Sequence, residues 1–99
     1  MAIIEITVIP LGTATTSVSK YVAACHKVLK EEKDIKYQLT PMSTVLEGDL
    51  DRVLEVAKKL HQVPFQEGAQ RVATTMKIDD RRDKTNTMEG KIASVKSKL

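Results

Sequence analysis

The chain has 99 residues, of which 41% are hydrophobic and 29% are charged. This composition provides enough apolar side chains for one core and is too apolar for a disordered chain. The length therefore predicts a single domain over residues 1–99. The net charge of +3 lies in the C-terminal quarter, because residues 1–76 carry nine basic and nine acidic side chains whereas residues 77–99 carry seven and four. No apolar stretch approaches the ~20 residues of a membrane-spanning helix and no secretion signal is recognisable, so we expect a cytoplasmic protein without a membrane partner.

The first residues predict a strand followed by a helix. Residues 2–9 alternate between two faces, which is typical of a strand, and Pro10 and Gly12 end this pattern. A small polar loop follows, and Ser17 is the expected N-cap of a helix. This helix extends to about residue 32, because apolar side chains recur at helical spacing along one stripe. We therefore expect a strand and a helix joined by a loop rich in hydroxyl groups.

A hairpin and a second helix are predicted next. Residues 35–40 and 44–47 are short β-rich segments, and Pro41 lies at the expected bend between them. The second helix opens at Asp49, its expected N-cap, and carries an apolar stripe of its own. Pro64 marks the expected end of this helix, because proline lacks a backbone donor and clashes with the preceding turn.

A long strand and a short helix complete the pattern. Gly68 leads into the strand, whose side chains alternate up to residue 78, and a run of opposite charges occupies residues 79–83. The last helix follows this run. The order strand, helix, strand, strand, helix, strand predicts an α+β fold, a ferredoxin-like β-α-β-β-α-β antiparallel sheet with an appended C-terminal helix. Both long helices would then cover one face of the four-stranded sheet.

The second face of the predicted sheet is neither fully polar nor fully apolar. The first and last strands are expected to supply its side chains, which are Ile3, Glu5, Thr7, Ile9, Arg71, Ala73, Thr75 and Lys77. Within the chain, the C-terminal helix is the one element left to cover this face. A half-apolar open face favours an oligomer interface over a ligand-binding floor, and a plain solvated face is the third interpretation.

Few residues could support catalysis, metal binding or nucleic-acid recognition. The single cysteine, Cys25, excludes an internal disulfide, and together with His26 it is best explained as a buried thiol beside an exposed imidazole. His61 fits a cation near a helix C-terminus. No catalytic triad, phosphate loop or metal set is recognisable, so we expect no enzyme activity, cofactor or metal. The basic tail is weak evidence for nucleic acid, and RNA binding through it stays a rival hypothesis.

Three segments crowd polar groups near the ends of the predicted strands. Residues 10–17 offer backbone donors and hydroxyls before the first helix, where an anion or a polar ring atom could bind. Residues 39–44, followed by Glu47, combine hydroxyls, a thioether and a carboxylate, and Arg71 precedes the charged run at 79–83. Each segment also has a purely structural interpretation, as a capped turn, a hairpin bend and a salt-bridged rim. The predicted topology favours a site, because it brings the three segments together.

A series of short motifs runs in this order through about residues 3–83. They are Val8-Ile9-Pro10-Leu11-Gly12-Thr13, Ser17-Val18-Ser19, Tyr21-Val22, Leu39-Thr40-Pro41-Met42, Thr44, Glu47-Gly48, Gly68, Arg71-Val72, Ile78-Asp79-Asp80-Arg81 and Asp83. Together they resemble a small thiamine-binding protein family of bacteria, archaea and fungi. The resemblance implies a ferredoxin-like fold, dimers that pair through their sheets into tetramers, and non-catalytic binding of thiamine or its hydroxymethylpyrimidine part near a subunit interface. Ser43 departs from the family, which often has glycine there, and a positive φ would cost serine more.

The residues expected to bind the ligand come from these motifs and from the first strand. They are Thr7, Gly12, Thr13, Met42, Ser43, Thr44, Glu47, Arg71 and Asp80. Hydroxyls such as that of Thr44 can exchange hydrogen bonds with the aminopyrimidine ring, while Met42 and Glu47 are candidates for contact with the thiazolium cation. Glu47 could instead be a strand-end carboxylate bonded to the next helix.

The sequence therefore predicts a cytoplasmic homotetramer, a dimer of dimers, that binds a small molecule without catalysis. Thiamine or a pyrimidine precursor is the expected ligand, and no cofactor is expected. The alternative is a structural or regulatory module whose open face binds only copies of itself or a protein partner, with no thiamine ligand.

Overall fold

Four strands and three helices make up the structure, a computed structural model that describes residues 1–99. In chain order they are β1 (Ala2–Leu11), α1 (Ser19–Lys30), β2 (Lys36–Leu39), β3 (Thr44–Gly48), α2 (Leu50–Gln66), β4 (Arg71–Asp80) and α3 (Met88–Lys96). The strands lie in the order β2-β3-β1-β4, and every neighbouring pair is antiparallel. This arrangement confirms the predicted ferredoxin-like α+β fold. None of the helices is both long and apolar enough to cross a membrane.

The register of the sheet places one set of apolar β1 residues in the core. Ile4 lies opposite Leu46 of β3 and Ile78 of β4, and Ile6 lies two residues further along the same face. Because side chains alternate with a period of two, this face of β1 packs against the helices. The core is a buried cluster that consists of Ala2, Ile4, Ile6, Cys25, Leu29, Ile35, Leu46, Val53, Val56, Ala57, Leu60 and Val63.

Helix α2 continues through Pro64 to Gln66, so the prediction that it ends at this proline is wrong. Proline lacks the N–H that would bond to the carbonyl four residues earlier, which is that of Leu60. The thiol of Cys25 on α1 donates to this carbonyl instead, with Sγ 3.7 Å from the oxygen. The helix tolerates the proline because the freed carbonyl has a partner and only the last turn is affected.

The start of α1 also differs from the prediction. Helix α1 begins at Ser19 and Val18 occupies the N-cap position, so the predicted Ser17 cap is wrong. The hydroxyl of Ser17 lies 3.2 Å from that of Ser19, and its backbone N–H donates to the Thr15 hydroxyl. The hydroxyls of this loop therefore bond locally instead of to the helix end. Asp49 does stand at the N-cap position of α2, although its side chain makes no capping bond.

The bend between β2 and β3 needs no glycine. Positive φ angles occur at Gly12 and Gly68 alone, so Ser43 adopts an ordinary backbone conformation. The Thr40 hydroxyl closes the bend, because it donates to the Ser43 carbonyl over 2.8 Å and accepts from the Ser43 N–H over 3.1 Å. Serine is therefore compatible with this bend, and its presence in place of glycine costs no backbone strain.

Helix α3 covers one end of the open face of the sheet, the face that it was expected to cover. Ile3 on this face is 8% exposed, and Lys91 of α3 pairs with Asp79 of β4 over 2.7 Å. At the other end of β1, Ile9 and Leu11 remain 41% and 39% exposed. The open face is therefore closed at one end and half apolar at the other.

We expect the Cys25 thiol to react slowly in the folded protein. Burial raises the pKa of Cys25 to about 11, and the thiolate is the reacting form. At about pH 8, a chromogenic disulfide reagent should modify the native protein about a hundredfold more slowly than the urea-unfolded chain. Equal rates in the two states would show an accessible, ionised thiol and would contradict the burial of the Cys25 side chain where α1 packs against α2.

Candidate functional site

A groove of about 1070 Å³ lies between α1, the second half of β1 and the bend of the β2–β3 hairpin. Strand β1 contributes the floor, α1 one wall and the hairpin bend the other. The lining residues are Ile6, Thr7, Val8, Ile9, Ser17, Val18, Ser19, Val22, Ala23, Cys25, His26, Leu39, Thr40, Pro41, Met42, Ser43, Thr44 and Leu60. A smaller cleft of about 390 Å³ separates β2 from α3.

The groove exists because β1 has neighbours of unequal length. Its pairing with β3 stops at Ile6 and Thr44, whereas its pairing with β4 continues to Leu11 and Arg71. Residues 7–11 of β1 therefore have a strand neighbour on one side only. Backbone N–H and C=O groups on the other edge have no ladder partner, and they are strong hydrogen-bonding groups that are available to a ligand.

The groove lining is mainly apolar, with a minority of polar side chains that are uncharged at neutral pH. It contains no aspartate, glutamate, lysine or arginine, and its polar side chains are mainly hydroxyls. Apolar side chains such as Val22 and Leu39 make up much of the remaining wall. The thioether of Met42 is 85% exposed and lies at the mouth. These features suit a flat, polar ring compound that needs apolar contacts on its faces and hydrogen bonds at its edges.

The groove contains no ionised thiol, and no cluster of metal-binding side chains occurs in the structure. The Cys25 thiol donates to a backbone carbonyl, and burial raises its pKa to about 11. Nowhere in the structure do three or more histidine, cysteine, aspartate or glutamate side chains come together to hold a metal ion. The arrangement can bind and orient a ligand.

His26 is a groove residue that the sequence did not reveal. It was expected to be an exposed imidazole, but it is half-buried, and its Nε2 lies 3.1 Å from the Thr44 hydroxyl. Its ring meets the Tyr37 ring edge-on with centroids 5.6 Å apart. Burial and, second, the charge of Lys30 lower the pKa of His26 below its ordinary value. The helical pattern alone carries no signal for this contact, because Thr44 is 18 residues away.

The structure brings together four of the residues predicted to bind the ligand. Thr7, Met42, Ser43 and Thr44 all line the groove. Gly12 and Thr13 belong to the loop that leads from β1 towards α1 and so adjoin it, although they are not part of the lining.

The other three predicted ligand residues lie outside the groove. Arg71 is exposed at the start of β4. Asp80, at the end of β4, accepts from Arg82 over 2.8 Å, and this hydrogen bond lowers the pKa of Asp80. The neighbouring Arg81 pairs with Asp83. The charged run is therefore a salt-bridged rim, which was the structural interpretation of this segment.

Glu47 is almost fully buried between the open face of the sheet and α3. Its side chain is on the same face as Ile3, and its Oε1 accepts the backbone N–H of Met88, the first residue of α3, over 2.8 Å. A carboxylate at this position stabilises a helix N-terminus. Glu47 Oε2 and Asn86 Nδ2 are buried without a hydrogen-bond partner. Glu47 is thus bonded to a helix, although the helix is α3 and not α2, which follows it in the chain.

The fold and the groove define a small α+β protein with a neutral site of the size that small organic ligands occupy. A family model described as "Thiamine-binding protein" matches residues 4–96, and the chain belongs to this family. The resemblance inferred from the sequence motifs is thereby confirmed.

Relatives of nearly the same length share this family and fold. The UPF0045 protein YqgV of Bacillus subtilis is 53% identical over 102 residues, which cover 100% of this chain and 98% of that protein. A UPF0045 protein of Methanothermobacter thermautotrophicus is 48% identical, and the match covers 96% of both chains. The crystal structure of MJ1052 from Methanocaldococcus jannaschii has a TM-score of 0.85 and 41% identity, over 96% of this chain and 95% of that one.

Substitution of Glu47 should loosen α3 and leave the groove unchanged. Glu47→Ala removes the acceptor of the Met88 N–H, so we expect the docking of α3 to lose about 1–2 kcal/mol and its amides to exchange roughly tenfold faster. Hydrogen exchange resolved along α3 measures this. Glu5→Ala is the matched control, because Glu5 is an exposed glutamate in β1 on the same face of the sheet as Glu47. Weaker thiamine binding with unchanged exchange would instead make Glu47 a ligand residue.

Proposed function

We propose that this protein binds thiamine or its hydroxymethylpyrimidine part reversibly, in the groove between α1, β1 and the hairpin bend. The observation that carries the proposal is the groove lining, which is uncharged and rich in hydroxyls and borders a strand edge without a ladder partner. Membership of the thiamine-binding protein family supports the choice of ligand.

The groove matches the pyrimidine half of thiamine in two ways. An aminopyrimidine places hydrogen-bond donors and acceptors side by side in the plane of its ring, as does the edge of a strand. The free edge of residues 7–9 and the Thr44 hydroxyl can supply the complementary groups, while Val22 and Leu39 offer apolar contacts to the ring faces. The recognition is therefore assigned to the edge of β1 and the wall beside it.

The positively charged thiazolium half has a different candidate partner. The sulfur of Met42 is polarizable and exposed at the mouth of the groove, where it can contact a cationic ring. Glu47 is turned towards α3 and Asp80 is paired with Arg82, so neither serves this role in our proposal. The function that we propose is binding without catalysis, in line with the description of the family as thiamine-binding.

In this proposal, the open face is the interface between copies of the chain. Ile9 and Leu11 are half-exposed there, and Ile9 also lines the groove together with Thr7. A second copy packed on this face would therefore border the ligand. The proposal includes a homotetramer that is formed as a dimer of dimers. It also includes a cytoplasmic location, with which the free, buried Cys25 is compatible. The same exposed residues favour the rival function, a self-association module without a ligand.

Ligand binding should depend on free space in the groove. Thiamine or hydroxymethylpyrimidine at about a hundred times its Kd should stabilise the protein by about 2.7 kcal/mol and raise its melting temperature by about 10 °C. Ala23→Trp fills the groove from α1 and should weaken binding at least tenfold in calorimetry. Lys27→Trp, exposed on the same helix outside the groove, is the control and should bind like wild type. If no thiamine form shifts the melting temperature while the oligomer persists, the rival function is correct.

A charge on the open face should dissociate the oligomer. Leu11→Asp places a carboxylate at a residue that is 39% exposed on this face, so burial against a second copy would become unfavourable. Met76→Asp is the matched control, because Met76 is 41% exposed in β4 on the opposite face of the sheet. Light scattering should show smaller particles for Leu11→Asp and an unchanged mass for Met76→Asp. A monomeric wild-type protein would contradict the proposed interface.

A further inference from the structure

His26 is the groove residue that can change its charge near neutral pH. The other titratable lining residue is Cys25, whose pKa burial raises to about 11. The His26 ring is half-buried and packs edge-on against Tyr37 of β2, and its Nε2 lies 3.1 Å from the hydroxyl of Thr44 on β3. The imidazole is therefore fixed on two sides, next to a hydroxyl in the groove wall.

The proton on His26 determines what Thr44 can offer to a ligand. A threonine hydroxyl has one hydrogen to donate and lone pairs with which to accept. When Nε2 of a neutral imidazole carries no proton, Thr44 donates to it, and the remaining lone pairs make Thr44 an acceptor towards the groove. When the imidazole is protonated, Nε2–H donates to the Thr44 oxygen, and the hydroxyl hydrogen is free to point into the groove as a donor.

We propose that His26 sets the hydrogen-bonding character of Thr44, and that it thereby makes binding pH-dependent and selective for ligands that offer an N–H donor. This inference rests on the proposed function, because the exocyclic amino group of the pyrimidine is such a donor. His26 acts through Thr44, so it is a positioning residue of the site.

The surroundings of His26 favour its neutral form. Burial, and then the charge of Lys30 on the same helix, lower its pKa. Tyr37 faces it from β2 and Thr44 from β3, and neither β1 nor α2 places a charged side chain in the groove. No carboxylate of the lining can stabilise the imidazolium. In our proposal the neutral ring carries its proton on Nδ1, so the acceptor state of Thr44 prevails at neutral pH and is lost as the pH falls through the lowered pKa.

Calorimetry with hydroxymethylpyrimidine over a series of pH values tests the inference. His26→Gln is the comparison, since its amide reaches roughly the position of Nε2 but does not titrate. As the pH falls from neutral to below the pKa of His26 in the bound state, wild-type affinity should fall about tenfold more than that of His26→Gln, which corresponds to one pKa unit between free and bound states. The titration of the ligand itself contributes equally to both proteins. Parallel pH profiles would overturn this inference alone, whereas a wild-type protein that binds at no pH would overturn the proposed function as well.

A measurement on the wild-type protein removes any dependence on the folding of the variant. NMR signals of the His26 ring protons report its pKa directly, and a His61→Gln variant distinguishes them from those of the second histidine. Saturating hydroxymethylpyrimidine should lower the pKa of His26 by about one unit, as linkage requires of a ligand that prefers the neutral form. A His26 pKa that the bound ligand leaves unchanged would overturn the inference.

Discussion

The unequal pairing of β1 is the constraint on which the rest of the structure depends. β1 forms ten residue pairs with β4 but five with β3. The sheet therefore spans four strands at one end, and at the other it lacks the two strands of the hairpin. The groove is the space beside this narrow end, with α1 as its wall. If β3 were longer by one or two pairs, its side chains and backbone would occupy the floor of the groove and bond to the edge of β1.

The two ends of the sheet consequently have different chemistry. At the wide end, Glu47 and the start of α3 form a buried, hydrogen-bonded junction that covers Ile3. At the narrow end, hydroxyls and an open strand edge meet a half-apolar surface around Ile9. Among the charged candidate ligand residues, Glu47 bonds to the start of α3 and Asp80 pairs with Arg82 at the wide end, whereas Arg71 is exposed at the narrow end outside the groove lining. This separation leaves the groove without formal charge, so that hydrogen-bond geometry and apolar contact decide what it binds.

Features set by local periodicity could be predicted from the sequence, and features set by distant contacts could not. Alternation in β1 and β4 predicted both faces of the sheet, because side-chain direction follows directly from strand geometry. Hydroxyls at residues 39–44 were recognised as a candidate site because they cluster along the chain. The contact between His26 and Thr44 was not foreseeable, since it depends on how α1 crosses the hairpin. Pro64 misled for a similar reason, because its tolerance depends on the Cys25 thiol of another helix.

An open strand edge is a hazard for most proteins, because another chain can pair with it. Here the hazard is limited by shape, since α1 and the hairpin bend enclose the free edge of residues 7–9 in a groove. Its volume of about 1070 Å³ lies near the upper end of the range for small-molecule sites. A ring compound can enter such a groove, whereas a strand would also have to displace Thr40 and Ser43, whose mutual hydrogen bonds hold the bend closed. The bend thus ends the pairing of β1 with β3. It also restricts access to the backbone N–H and C=O groups of residues 7–9 that have no ladder partner.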